Sequence, residues 1–201
     1  MIKAVIFDWG GVLIDNPSPV LIAYCAQYLK ITEKVFLQTY LRFEPDFQKG
    51  ILSEEAVWDN LCEALGIQKP TQPSLWEAAF RHAYVERKEM FSLVSHLKKN
   101  GYKTCFLSNT ECPAMQIFLE KHYTVFDVIV FSCMEGTRKP EEKIYQLALK
   151  RLHVRPGEAV YIDDKQEYLR GAERIGIHVL LFTSYPQLRK DLSLFSIPID
   201  S

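Results

Sequence analysis

Residues 3–15, KAVIFDWGGVLID, constrain the fold more than any other part of the chain. The apolar run from Ala4 to Phe7 delivers one carboxylate, Asp8, and the chain then breaks into Gly10-Gly11. So short a run, followed at once by glycine, reads as a strand buried in a parallel sheet rather than as a helix. Open α/β sheets bind ligands outside the carboxyl ends of their strands. Asp8 therefore stands where chemistry is expected, and the glycines allow a tight turn and a close approach of backbone to ligand. Taken alone, Asp8 reads equally well as a polar residue that merely closes a strand.

The rest of the chain divides into two textures. Residues 16–19, Asn-Pro-Ser-Pro, break regular structure like a hinge. From there to about residue 86 the pattern is helical with no strand. A first helix carries Val20, Tyr24, Gln27 and Tyr28, and a second is capped by Thr32 with Val35, Phe36 and Tyr40 on one face. Residues 43–50 read as a loop, in which Phe43, Glu44, Asp46, Phe47 and Lys49 are candidates to face a site. Ser53 caps a helix closed by Gly66, and another follows Pro73. Beyond residue 86 strands at 103–107, 127–132, 159–162 and 178–182 alternate with helices, and a last short helix follows Pro186. That alternation predicts an α/β fold with a parallel sheet wound by right-handed crossovers. The expected core comprises residues 1–15 and 87–201, with residues 16–86 as an inserted helical unit.

Composition removes several classes of function. Among 201 residues, Lys and Arg nearly balance Asp and Glu, for a formal net charge of -1. Nothing there favours nucleic acid or an anionic membrane. No apolar run approaches the ~20 residues that span a bilayer, and a strand so near the N-terminus does not read as a signal peptide. Five scattered cysteines without a Cys-x-x-Cys pair argue against zinc or a disulfide framework. The expected compartment is the cytoplasm and the expected state a monomer or weak dimer.

Four polar clusters fall at comparable places. Asp8 and Ser108 each follow a strand, Lys139 precedes a helix, and Asp163-Asp164 follow another strand. In a parallel sheet these converge on one edge, where buried charges need a partner or a metal. Oxygen ligands from Asp8 and Asp163 suit Mg²⁺, which often bridges to phosphate. A lysine neutralises phosphate, and a serine hydroxyl with backbone amides holds its oxygens. Asp164 alone reads also as a helix cap, and Asn109 as a turn former. Glu111, Glu141 and Glu142 read as first-turn acids favoured by the helix dipole. The five histidines lie outside these clusters, and Cys105 reads as core.

In order along the chain, FDWGG, LSNT, RKP and YIDD resemble the four motifs of the haloacid dehalogenase superfamily, whose members are mostly Mg²⁺-dependent phosphatases. The KGILSEEAVW stretch of the insert is similar to the cap of bacterial members close to sugar-1-phosphate phosphatases. The resemblance implies a Rossmann-like core with helices on both faces and a helical cap, acting on a small phosphorylated metabolite such as a sugar phosphate. It implies that Asp8 forms an aspartyl-phosphate. It also implies that Mg²⁺ is held by Asp8, the Gly10 carbonyl and Asp163, with Asp164 close by or acting through water. Ser108 and the Asn109 amide would bind the transferring group, and Lys139 would offset its charge. One position departs: typical phosphatases of the superfamily carry a second Asp two residues after the first, where this chain has Gly10. General acid–base help is worth about 10²–10⁴ in rate. Its loss suits a leaving group that needs little protonation, unless Asp15, Asp164 or Glu167 takes the role. Two other readings stand beside this one. A dehalogenase would attack carbon, with Arg42 a candidate over the halide; a binding protein would keep the fold without the chemistry. A phosphate-accepting receiver domain fails on order, because its acidic pair follows the first strand.

Overall fold

The computed structural model describes residues 1–197. Five parallel strands form one sheet: β1 (Ala4–Phe7), β2 (Lys103–Ser108), β3 (Val128–Phe131), β4 (Ala159–Asp163) and β5 (His178–Leu181). Their order is β3-β2-β1-β4-β5, so β1 lies in the middle with β2 and β4 paired to either side of it. All four β1 residues are buried, as a strand covered on both faces requires. Side-chain alternation sorts them: Val5 and Phe7 join one apolar cluster, Ala4 and Ile6 another. The first cluster takes in α6 (Lys88–Lys99), α7 (Cys112–Glu120) and α11 (Tyr185–Leu194); the second takes in α9 (Glu142–Leu152) and α10 (Gln166–Glu173). Helices thus cover both faces of the sheet. Residues 198–201, the expected end of the core, lie outside the described residues.

Between β1 and α6 run five helices: α1 (Ser18–Leu29), α2 (Glu33–Tyr40), α3 (Glu44–Gln48), α4 (Glu54–Leu65) and α5 (Leu75–Ala83). Side-chain caps start three of them, from Thr32, Ser53 and Ser74. Left-handed Gly66 ends α4. Their shared core is aromatic, with Tyr40 stacked on Trp76 at 4.7 Å and Phe47 edge-on to the same indole at 5.3 Å. Where the chain leaves and re-enters the sheet, Ile14 bridges Glu86 antiparallel, and Asp15 and Arg87 donate backbone hydrogen bonds to Val85 and Leu13.

Several local expectations are corrected. Residues 43–50 are not a loop, because α3 forms there, started by Pro45 in its first turn and held by the burial of Phe47 and Gln48. Five helical residues are too few for apolar periodicity to register. The prolines at 17 and 19 open α1 rather than break the chain, since a first turn tolerates proline. Val35 is exposed although Phe36 and Tyr40 are buried. The last helix, α11, begins before Pro186 and runs ten residues. Residue 132 belongs to a short helical turn, α8 (Ser132–Glu135), rather than to β3.

Candidate active site

Asp8 sits one residue beyond β1, where its amide donates to the Ile162 carbonyl of β4 at 3.0 Å. Ser108 and Asp163 are the last residues of the strands on either side. Three polar side chains therefore arrive at one sheet edge because three paired parallel strands end there. Lys139 comes from the loop between α8 and α9. Its Nζ lies 2.7 Å from Asp8 Oδ1 and 2.8 Å from Asp163 Oδ2, and the residue is 0% exposed. Burial alone would lower the lysine's pKa, but the Asp163 and Asp8 carboxylates hold it well above the usual value. Asp8 is pushed up to about 7, first by burial and then by Asp163, against the pull of Lys139.

Asp163 is tightly held. Its Oδ1 accepts from the Lys165 amide at 2.8 Å, and the Tyr161 hydroxyl donates to its Oδ2. Asp164 is less provided for, because its Oδ1 is buried with no partner, and burial and Asp163 raise its pKa. Gly11, at φ +91°, lies so close to the Asp164 carboxylate that any Cβ there would overlap it. Carboxylate oxygens of Asp8, Asp163 and Asp164 lie within 4.8 Å of one another. Three acids face one buried lysine, one of their oxygens is orphaned, and all the donors are hard. That set fits a small divalent cation such as Mg²⁺.

Ser108 accepts from Thr110 Oγ1 at 2.7 Å. The Asn109 side chain is spent on the lysine loop: its Nδ2 donates to the Lys139 carbonyl at 3.0 Å, and its Oδ1 accepts from the Lys139 amide at 2.8 Å. Asn109 thus positions Lys139, and its backbone amide is left for a ligand. Gly10 lines the site, but a Cβ there would come within 3.0 Å of the Pro17 ring. A second aspartate there would press on that ring.

The sheet edge forms the floor of a cavity of about 250 Å³ whose opposite wall is the helical insert, with Asp163 and Asp164 outside its lining. Asp8, Gly10, Ser108, Asn109 and Lys139 all line it. Asp15 is tied to Arg87 at 2.8 Å and, like Glu167, does not line the cavity, so neither is placed to replace the missing acid. Arg42 is exposed, stacked 5.5 Å over Phe43, and also outside the lining. Of the five insert residues expected to face a site, Glu44 lines it; Phe47 is core and Lys49 pairs with Glu141.

One site residue was misread from its neighbours. Glu111, expected as a first-turn acid favoured by the helix dipole, stands at the cap position of α7 and is buried, 6% exposed. Its Oε1 accepts from Tyr40 Oη at 3.0 Å and Gln48 Nε2 at 3.1 Å, and its Oε2 from Trp76 Nε1 at 3.3 Å. All three donors belong to the insert. Burial raises the Glu111 pKa, although the hydrogen bonds oppose the rise. Local sequence carries no signal for this, because the donors lie 35 to 71 residues away. Lys165, also lining the cavity, was passed over; it follows the acidic pair directly and stands 5.1 Å over the Tyr168 ring.

A family model described as haloacid dehalogenase-like hydrolase matches residues 2–176. The mouse protein Acyl-CoA dehydrogenase family member 10 is 30% identical over 190 residues, 89% of this chain. The chain spans only 18% of that protein's length. The sesquiterpene phosphatase astK of Aspergillus oryzae is 28% identical over 181 residues, covering 87% of each chain. Among solved structures, the HAD family enzyme bt-2542 of Bacteroides thetaiotaomicron, in complex with magnesium and inorganic phosphate, superposes with a TM-score of 0.76. The identity there is 22%, with 94% of this chain and 99% of that one covered, so the likeness is one of fold.

Proposed function

The chain belongs to the haloacid dehalogenase-like hydrolases, and within that family we propose that it is a Mg²⁺-dependent phosphatase of a small phosphorylated metabolite. The observation that carries the reading is the surplus of negative charge at the sheet edge, where the carboxylates of Asp8, Asp163 and Asp164 gather and Lys139 is the buried lysine paired with Asp8 and Asp163. The carboxylates of Asp8, Asp163 and Asp164, with the Gly10 carbonyl, would hold Mg²⁺, which when bound offsets phosphate charge and keeps Asp8 ionised. Two relatives' records support the reading: astK is named a phosphatase, and bt-2542 holds magnesium and phosphate.

The protein's own residues divide the work. An Asp8 oxygen attacks phosphorus, the bond from phosphorus to the leaving oxygen breaks, and its electron pair departs with that oxygen. Lys139 holds the attacking carboxylate in place and neutralises the transferring group. Ser108 and the Asn109 amide bind phosphate oxygens. Water then attacks the aspartyl-phosphate at phosphorus, the bond to Asp8 breaks, and inorganic phosphate leaves with the carboxylate restored. With glycine at position 10 the leaving oxygen takes its proton from water, which favours leaving groups of low basicity. Residues 16–86 act as the cap that closes over the alcohol portion. A sugar phosphate, as the sequence resemblance implies, and an apolar ester, as the name of astK implies, are the two alcohol classes to separate. A cytoplasmic location agrees with five free cysteines.

The test is phosphate release from acetyl phosphate, with Mg²⁺ and then with chelator, for wild type and Asp8→Asn. Release that needs Mg²⁺ and falls at least about 10³-fold in the variant supports the assignment. Release equal in both proteins, or chelator-insensitive turnover of haloacids, overturns it.

A further inference from the structure

We propose that the insert side of the cavity is built for an apolar leaving group, so that the substrate is a phosphate ester or anhydride of a hydrocarbon alcohol or acid rather than of a sugar. This rests on the phosphatase reading and names the substrate's other half.

The cavity has two unlike ends. Its sheet end is the polar cluster that would receive phosphate. Its insert end is lined by Leu21, Ile22, Leu37, Tyr40, Trp76 and Phe80, with Trp9 beside them. Three side-chain donors of this wall are already committed. Tyr40 Oη, Trp76 Nε1 and Gln48 Nε2 all donate to Glu111, so the tyrosine and tryptophan have carbon surface left to offer. Glu44 is engaged by Gln48 at 3.4 Å and Arg138 at 3.6 Å. Asn16 and Ser18 line the cavity at exposed positions, and the Asn16 side chain already accepts from the Ser18 amide.

Two buried polar atoms of lining residues lack any protein partner: Trp9 Nε1, a donor, and Gln48 Oε1, an acceptor. They could meet one or two polar groups of a ligand. A hexose would bury several hydroxyls against the wall, and each left without a partner costs about tenfold in binding. A hydrocarbon chain or ring gains instead, since each buried methylene is worth about fourfold. The wall thus discriminates by what it lacks.

Acyl phosphates separate this effect from leaving-group chemistry, because chain length leaves the basicity of the departing carboxylate nearly constant. We expect kcat/KM with Mg²⁺ to rise about two- to fourfold per methylene from acetyl through butyryl to hexanoyl phosphate. It should level off once the chain outgrows the cavity. Hexanoyl phosphate should also exceed glucose 1-phosphate, and Leu37→Asn should flatten the rise. Acetyl phosphate turnover with a flat or falling series, an unaltered slope in Leu37→Asn, or a preference for glucose 1-phosphate would each overturn the apolar assignment while leaving the phosphatase standing. No phosphate from any compound, acetyl phosphate included, would remove the phosphatase reading and the inference with it.

Discussion

Asp8 and Glu111 are both nearly buried, 5% and 6% exposed, and both line one cavity, yet their surroundings differ in kind. Asp8 shares its site with two more carboxylates and one buried lysine, and an Asp164 oxygen has no hydrogen-bond partner. Glu111 is met by three neutral donors, one of which, Gln48 Nε2, it shares with Glu44. The first arrangement is short of positive charge and complete only with a cation. The second is complete within the protein. A buried acid is thus a reactive candidate or a structural fastening according to whether its neighbours leave a deficit.

The largest expected effect tests the deficit. Lys139→Met removes the buried cation paired with Asp8 and Asp163. It should abolish phosphate release and, with chelator present, destabilise the protein by about 3–5 kcal/mol. Added Mg²⁺ should raise the Tm of the variant more than that of wild type, because three acids then compete for it without the lysine. Thermal unfolding with and without Mg²⁺ reads this directly. If Mg²⁺ moves neither Tm, the sheet-edge cluster is no more cation-seeking than Glu111.

Glu111→Ala should come next. It leaves Tyr40 Oη, Gln48 Nε2 and Trp76 Nε1 without their acceptor, at roughly 2–4 kcal/mol after allowing for relief of the buried charge. A chain of this size should lose about 5–10 °C in Tm. A Tm unchanged by the substitution would mean that the three donors re-pair and that the fastening is dispensable.

Glu111→Gln should have the smallest effect and a distinctive pH dependence. The amide keeps an acceptor for Tyr40 and Gln48 but sets an NH₂ group against the Trp76 indole, at about 1 kcal/mol. In wild type, burial in the folded state raises the Glu111 pKa above that of an ordinary glutamate. The folded protein therefore binds this proton more tightly than the unfolded chain. The stability Glu111 contributes is fully present below the unfolded pKa and is lost as pH rises through the folded one. Glutamine has no such dependence, so the deficit of the variant should narrow as pH rises from 4 toward 7. Chemical denaturation across that range checks the sign, and a widening gap would show the fastening to be stronger when ionised.

Much of the sheet edge was legible before any coordinates. Asp8, Ser108 and Asp163 each end an apolar run, and an apolar run of four to six residues has few options other than a buried strand. The insert read well where a cap residue announced a helix, as at Thr32, Ser53 and Ser74, and poorly at α3, whose five residues are held by tertiary burial of Phe47 and Gln48. Asn109 showed the limit of reading by position. Its place after Ser108 suggests a backbone amide for a ligand or a turn, and nothing local announces that its side chain holds Lys139, 30 residues on.

By itself the sequence determined the parallel α/β core, the helical interruption after β1 and the set of polar residues at the strand ends. Those features follow from periodicity, caps and chain order, which are local properties. Only the tertiary structure decided that the Pro17 ring stands close beside Gly10, that Glu111 gathers three donors of the insert, and that Leu21, Ile22, Leu37 and Phe80 line the same wall. Hydrogen bonding and desolvation depend on which groups meet in space. Residues far apart in the chain settle that balance, and neither partner carries a mark of it alone.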